Sequence, residues 1–410
     1  MRTFVLIVLI LCALHATTGI AQDRTDAKNL YDSHRWFDLH HLSLEDKDDL
    51  LYKAATEMAF HQEKRATEDI NRYVASHPTP TSTIEARELL LGAAFRNGQY
   101  QEALFQAQQI LALNHEARDV INFLPTLQVL APFGRQATVS RRSSTVKMEL
   151  LDQNLVLPVT IGKETSHYIL DNGFSLSGMS ESEAQRLRLP VKTVATRIDT
   201  MSGAPVDVRI AVVPILMLGG LKLRNVAFYV LSDHQPPFNE LPPGHRGILG
   251  LQVFLALEHF SWQPQYKMFS ILRNALPEPS RAANLAFDGS SIFTQLSFRS
   301  TPIEMSLDSG AQNTVLYPSF AQEFPEIASS ASSEQQRITG VGGSASIQSW
   351  TLPVLIFELG GRSLTLKPAT VLLKGNNSTS EWFQGNLGMN LLNQANNVDI
   401  NFASMTIALQ

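Results

Sequence analysis

The sequence predicts a multidomain α+β protein in which an N-terminal helical domain precedes two all-β lobes. Three observations carry this prediction. Apolar residues recur three and four apart between about residues 27 and 130, the spacing of helices that bury one face. From about Thr145 the chain changes to short β-branched and apolar runs broken by turn residues. Those runs then fall into two copies, over 145–275 and 285–410, whose landmarks keep a nearly constant offset.

The chain opens with Arg2, then the apolar run "FVLIVLILCAL" from Phe4 to Leu14, then small Gly19 and Ala21 ahead of Gln22. This reads as a signal peptide over residues 1–21 and predicts an exported protein, periplasmic or secreted. The run is too short to span a bilayer, and no later segment is long and apolar enough. The one cysteine, Cys12, lies inside the run, behind Leu11 rather than the small residue of a lipoprotein signal. Lipid anchoring is therefore not expected, and a processed chain offers no disulfide, no thiol nucleophile and no cysteine metal ligand. The "NNST" sequons at Asn376 and Asn377 matter only in a eukaryotic secretory pathway.

With 44% apolar and 17% charged residues, the 410-residue chain has material for two or three packed domains. Its net charge of -5 and the lack of any basic run longer than "SRRSS" exclude a nucleic-acid partner. His34, His40 and His41 cluster near Asp38 and Asp46 without a ligand spacing, so they are read as solvated helix-end residues. No Walker lysine and no Gly-x-Ser-x-Gly motif occurs, which removes phosphate-loop and serine-hydrolase chemistry.

Within 27–130, "LLYKAATEMAFHQEKRATEDINRYVASHP" and "TSTIEARELLLGAAFRNGQYQEALFQAQQILALN" are helical, with "HPTPTST" between them. The second stretch resembles one tetratricopeptide-type hairpin, with Leu90, Ala94, Gly98, Tyr100, Ala103 and Ala107 at its close-packing positions. Three stacked repeats are normally needed for a solenoid. A small helical bundle covering the next domain is the other reading, and in either case the region can dock a protein partner. A third reading makes it a prosegment removed at the Arg141-Arg142 pair.

Asp171 and Asp308 stand 137 residues apart, Gly220 of "LMLGG" and Gly361 of "FELGG" 141, and Gly250 of "GILG" and Gly388 of "GNLG" 138. From Asp to the Leu-Gly pair is 79 residues in the first copy and 80 in the second. An aspartate closing an apolar strand is commonly a turn former. With "TMSG" at 200–203 and "TGVGG" at 339–343 between them, four ordered landmarks in matched copies call for a further reason.

The two copies resemble the lobes of a single-chain, bacterial-type aspartic peptidase of the pepsin and retropepsin kind. The signature there is Asp-Thr/Ser-Gly after an apolar strand, followed later by an apolar-apolar-Gly turn. "LDSGA" at 307–311 carries it fully; "LDNGF" at 170–174 has Asn172 in place of the hydroxyl residue and Phe174 where a small residue is usual. The resemblance covers about 145–410 and implies the acid-protease fold, with Asp171 and Asp308 as a catalytic dyad. It assigns supporting roles to Asn172, Gly173, Ser309, Gly310, Leu249, Gly250, Leu387 and Gly388. It makes the hairpins holding Ser202 and Gly203, and Gly340, Gly342 and Gly343, candidates for flaps over an extended peptide substrate. No metal or organic cofactor is implied.

Such a dyad would share one proton and activate water without a covalent intermediate. Asn172 sets two expectations: either its carboxamide replaces the cross-lobe hydroxyl, or it holds the lobes apart. The first gives an aspartic-type endopeptidase. The second gives a peptide-binding or scaffold protein that retains the fold without turnover.

Overall fold

The computed structural model describes residues 26–42, 44, 49–198, 206–273, 282–340, 343–374 and 382–410. The signal-peptide segment, Cys12 and both sequons lie outside them. Among the described residues no helix is long and apolar enough to cross a membrane.

The chain divides into two compact units, Met1–Ala86 and Arg87–Gln410. In the first, the helices Trp36–His40, Leu50–Ala59 and Glu63–Ser76 bury Trp36, Phe37, Leu39, Leu51, Ala54, Met58 and Ile70. The stretch read as helical from Leu50 onward is two helices and not one. Between them the chain turns at Phe60–Gln62, where His61 takes a left-handed conformation (φ 59°). His40 stacks on Phe60 at 4.1 Å between ring centroids.

The helix Pro80–Arg96 crosses the division, and the second unit takes in its C-terminal part together with Tyr100–Leu113 and Arg118–Leu130. Gly98, at φ +64°, makes the turn between the first two of these; a Cβ there would meet Gln136 Cβ at 2.8 Å. Tyr100, Ala103 and Ala107 are fully buried, as the close-packing pattern of the hairpin requires, while its tetratricopeptide likeness stays a sequence reading. Helix gives way to strand between Phe133 and Ala137, but compactness does not divide the chain there. Buried side chains tie these helices to the β-rich part of the same unit. The Gln252 amide donates to Phe95 O (2.6 Å) and accepts from Tyr100 Oη (2.6 Å), while Gln136 Nε2 donates to Gln252 O (2.8 Å). Arg96, 3% exposed, donates to Gly289 O at 2.8 Å and lies over the Phe287 ring at 4.2 Å.

Among the described residues, the strands of this unit form three sheets, with short helices between them. The first has nine strands drawn from Ala137–Leu249, and the third ten strands drawn from Leu285–Leu387. One hairpin in each turns at the glycines the repeat picked out: Val206–Leu218 returns as Leu221–Leu231 at Gly219 (φ +52°), and Leu355–Leu359 returns as Arg362–Leu366 at Gly360 and Gly361 (φ +57° and +89°). Strand Leu355–Leu359 alternates buried and exposed residues, the period-two pattern of a sheet with one wet face.

A five-stranded sheet mixes distant parts of the chain in the order Ser144–Lys147, Met268–Ile271, His259–Gln263, Val398–Asn401, Thr406–Leu409. Phe254, Phe260, Phe269, Phe287 and Phe402 pack around it. Arg141, the first half of the suggested processing point, ends the strand Ala137–Arg141 and pairs its guanidinium with the Glu258 carboxylate.

Candidate active site

Each aspartate comes directly after a strand that runs parallel to the strand of its own Leu-Gly pair. Glu164–Leu170 pairs with Gly247–Leu249, with Leu170 opposite Leu249; Thr301–Leu307 pairs with Gly385–Leu387, with Leu307 opposite Leu387. The amide of Asp171 donates to Leu249 O (2.9 Å) and that of Asp308 to Leu387 O (3.0 Å). The glycine turns close in matching ways. Gly250 N donates to Ser177 Oγ (3.1 Å) and Leu251 N to Phe174 O (2.7 Å); Gly388 N donates to Thr314 Oγ1 (3.0 Å) and Met389 N to Ala311 O (2.8 Å). Neither glycine tolerates a Cβ: at Gly250 it would enter the Leu176 carbonyl, and at Gly388 it would sit 2.6 Å from the Asn313 carbonyl carbon.

The two aspartates come together. A Cβ built on Gly173 would lie 3.0 Å from Asp171 Oδ1 and 3.2 Å from Asp308 Oδ1, so both carboxylates border the space that glycine leaves empty. A Cβ on Gly310 would collide with the Asp171 carboxylate. Each Gly also donates its amide to the aspartate two residues before it, Gly173 N to Asp171 Oδ1 at 2.8 Å and Gly310 N to Asp308 Oδ1 at 2.9 Å.

Asn172 spans the junction of the two turns. Its Oδ1 accepts from Ser309 N (2.7 Å), its Nδ2 donates to Leu307 O (2.6 Å), and its own backbone N–H donates to Ser309 Oγ (3.0 Å). One carboxamide thus supplies both the acceptor and the donor that a hydroxyl would offer from a single oxygen. Both Asn172 and Ser309 are 2% exposed. Phe174 is accommodated because its ring lies over Gly178, where a Cβ would approach Phe174 Cε1 to 3.1 Å.

The electrostatics of the two halves differ. Asp308 Oδ1 also accepts from Ala311 N (3.1 Å), and its Oδ2 accepts from Asn386 Nδ2 (2.9 Å). Asn386 is held by Ser306, whose hydroxyl donates to Asn386 Oδ1 at 2.6 Å. The residue at the same place in the first half is Ile248, 2% exposed and with no side-chain donor to give. Burial and the facing Asp308 carboxylate push Asp171 up to about 8, against the opposing pull of the Gly173 and Phe174 amides.

Gly340 pairs with Gly343 at the end of the hairpin Ser332–Gly340/Gly343–Leu352; Ser202, Gly203 and Gly342 lie outside the described residues. Sequence reasoning missed Ser177, Thr314 and the amide of Asn386. A signal was available for the first two: each hydroxyl residue stands six positions after its aspartate. For Asn386 the signal was the one polar residue in "NLG" where "ILG" is apolar.

Residues 157–253 match the family model described as aspartyl protease, a span that holds the Asp171 strand and the Gly250 turn. The resemblance to aspartic peptidases of the pepsin and retropepsin type is thereby supported over the first half of the site. Among solved structures, a retropepsin-like aspartic protease from Rickettsia conorii is similar at 12% identity, over 33% of this chain and 94% of that one, with a TM-score of 0.22. No curated protein matches the chain.

Proposed function

We propose that this protein is an exported aspartic-type endopeptidase, built from two matching β lobes, that cuts extended peptides with the Asp171/Asp308 dyad. The observation that carries the reading is the pair of carboxylates bordering one glycine-lined space. Two like charges so placed share a proton and titrate as a unit. The environments decide where that proton resides. Asp171, buried and with its pKa raised, holds the proton, while Asp308 accepts three hydrogen bonds, from Gly310 N, Ala311 N and Asn386 Nδ2.

In the reaction Asp308 takes a proton from a water bound between the two carboxylates, and that oxygen adds to the scissile carbonyl carbon. Asp171 donates its proton to the carbonyl oxygen. Collapse of the tetrahedral adduct breaks the C–N bond as Asp308 passes the proton taken from water to the leaving nitrogen, and the adduct hydroxyl returns a proton to Asp171 as the carboxyl C=O re-forms. The substrate lies extended, its backbone pairing with the Ser332–Gly340/Gly343–Leu352 hairpin as an added strand would.

The scaffold alternative drew its motive from Asn172, and the three hydrogen bonds that this residue makes across the junction support the peptidase reading over it. Digestion of a peptide library tests the proposal. Asp308→Asn is expected to abolish cleavage, and cleavage unchanged in that variant rejects it.

A further inference from the structure

Away from the aspartates, Glu149, His167 and His245 converge from three separate segments, with one possible ligand atom from each within 4.8 Å of the others. Glu149 begins the strand Glu149–Leu151, His167 lies within Glu164–Leu170, and His245 lies in the connection into Gly247–Leu249, two residues before the strand. The two imidazoles stack with centroids 5.1 Å apart and planes 16° from parallel. Their Nε2 atoms each lie 3.7 Å from a Glu149 oxygen, one on Oε1 and the other on Oε2.

At 3.7 Å these atoms are too far apart to be hydrogen-bonded to one another. The spacing is instead close to that of ligands around a shared ion: metal–ligand bonds of about 2.1 Å place neighbouring tetrahedral ligands roughly 3.4 Å apart. The backbone fixes the arrangement, since His167 N donates to Gly244 O at 2.7 Å and pins the residue before His245 to the His167 strand. Two imidazole nitrogens with one carboxylate suit a borderline divalent ion and not calcium or magnesium, which prefer all-oxygen sets.

We propose that Glu149, His167 and His245 form a zinc site, with water in the fourth position, that clips three segments of the first β lobe together. No carboxylate or carbonyl among the described residues accepts from the buried His245 Nδ1. The usual outer-sphere brace is missing there, which costs such sites roughly 10–100-fold in affinity. The site is independent of whether the protein cuts peptides.

The test uses the full-length protein, stripped with chelator and titrated with zinc sulfate by calorimetry. One zinc per chain is expected. Glu149→Gln should weaken binding at least tenfold, and His167→Ala or His245→Ala should abolish it. Because the Glu149 side chain is largely exposed, its glutamine variant keeps the fold, as matching unfolding midpoints without metal would verify. Zinc should raise the midpoint of the parent and leave that of the histidine variants unmoved. Absence of stoichiometric binding overturns the proposal, as does zinc binding with the parent's affinity in all three variants. Cobalt gives a second readout: intense visible bands of a four-coordinate ion in the parent are expected, and bands that persist unchanged in His245→Ala overturn the assignment.

Discussion

The two halves of the candidate site share a backbone and differ in side chains. On both sides an aspartate closes a strand beside a Leu-Gly turn, donates its amide to the leucine carbonyl, and accepts from the glycine two residues on. Yet the second half offers Asn386 to its carboxylate where the first offers Ile248, and the first half crosses the junction with Asn172 where the second has Ser309. The shared frame fixes where the carboxylates stand. The unshared side chains decide which hydrogen bonds each of them accepts and how the junction is held.

The hardest test of this comparison is to remove one carboxylate at a time. Asp171→Asn and Asp308→Asn are each expected to cut peptidase turnover by at least about 10³-fold, because each deletes one partner of the acid–base pair. Their effects on stability should differ. Asp171 keeps its proton in the fold up to about pH 8 but gives it up near 3.8 when unfolded. Between those values the unfolded chain binds fewer protons, so this group lowers stability as pH rises, at about 1.4 kcal/mol per pH unit when fully expressed. Urea unfolding should therefore show Asp171→Asn more stable than the parent at pH 7, with the gap closing toward pH 4. Peptidase activity of the parent should also decline as pH rises through about 8.

Asn172→Ala strips Ser309 N and Leu307 O of their partners in a buried place. The expected loss is about 2–5 kcal/mol of stability, read as a lowered urea midpoint, with turnover falling as well. Asn172→Thr restores a hydroxyl at the junction and should recover much of both.

Asn386→Ile makes the second half imitate the first. Loss of that donor leaves Asp308 Oδ2 without its hydrogen bond and frees the carboxylate to turn, so turnover is expected to fall about tenfold. Turnover equal to the parent's would sever the link between Asn386 and the orientation of Asp308. The smallest effect is expected from Tyr100→Phe, which leaves Gln252 Oε1 short of its donor: about 1 kcal/mol of stability and no shift of the pH–activity profile.

Much of the frame was legible because it repeats. Asp171, Asp308 and their Leu-Gly turns announced themselves by spacing, and the glycine hairpins at Gly220 and Gly361 by the same rule. Features that depend on three-dimensional neighbours of unrelated sequence position could not be read. The double hydrogen bond of Asn172 needed the partner turn beside it, and the meeting of Glu149 with His167 and His245 required three segments of one sheet to fold first. The Gln252 link to Phe95, Tyr100 and Gln136 escaped for the same reason, since nothing in a helical pattern marks which residue its end will bond.

The five-stranded sheet bears on the order of assembly. Val398–Asn401 pairs with His259–Gln263, and Thr406–Leu409 pairs with Val398–Asn401, so strands made early wait for partners some 140 residues later. Until that distant pairing forms, His259–Gln263 keeps an open edge beside its early partner Met268–Ile271. The five-stranded sheet is therefore a late, non-local assembly step, because one of its central pairings cannot form until the chain has passed Asn401.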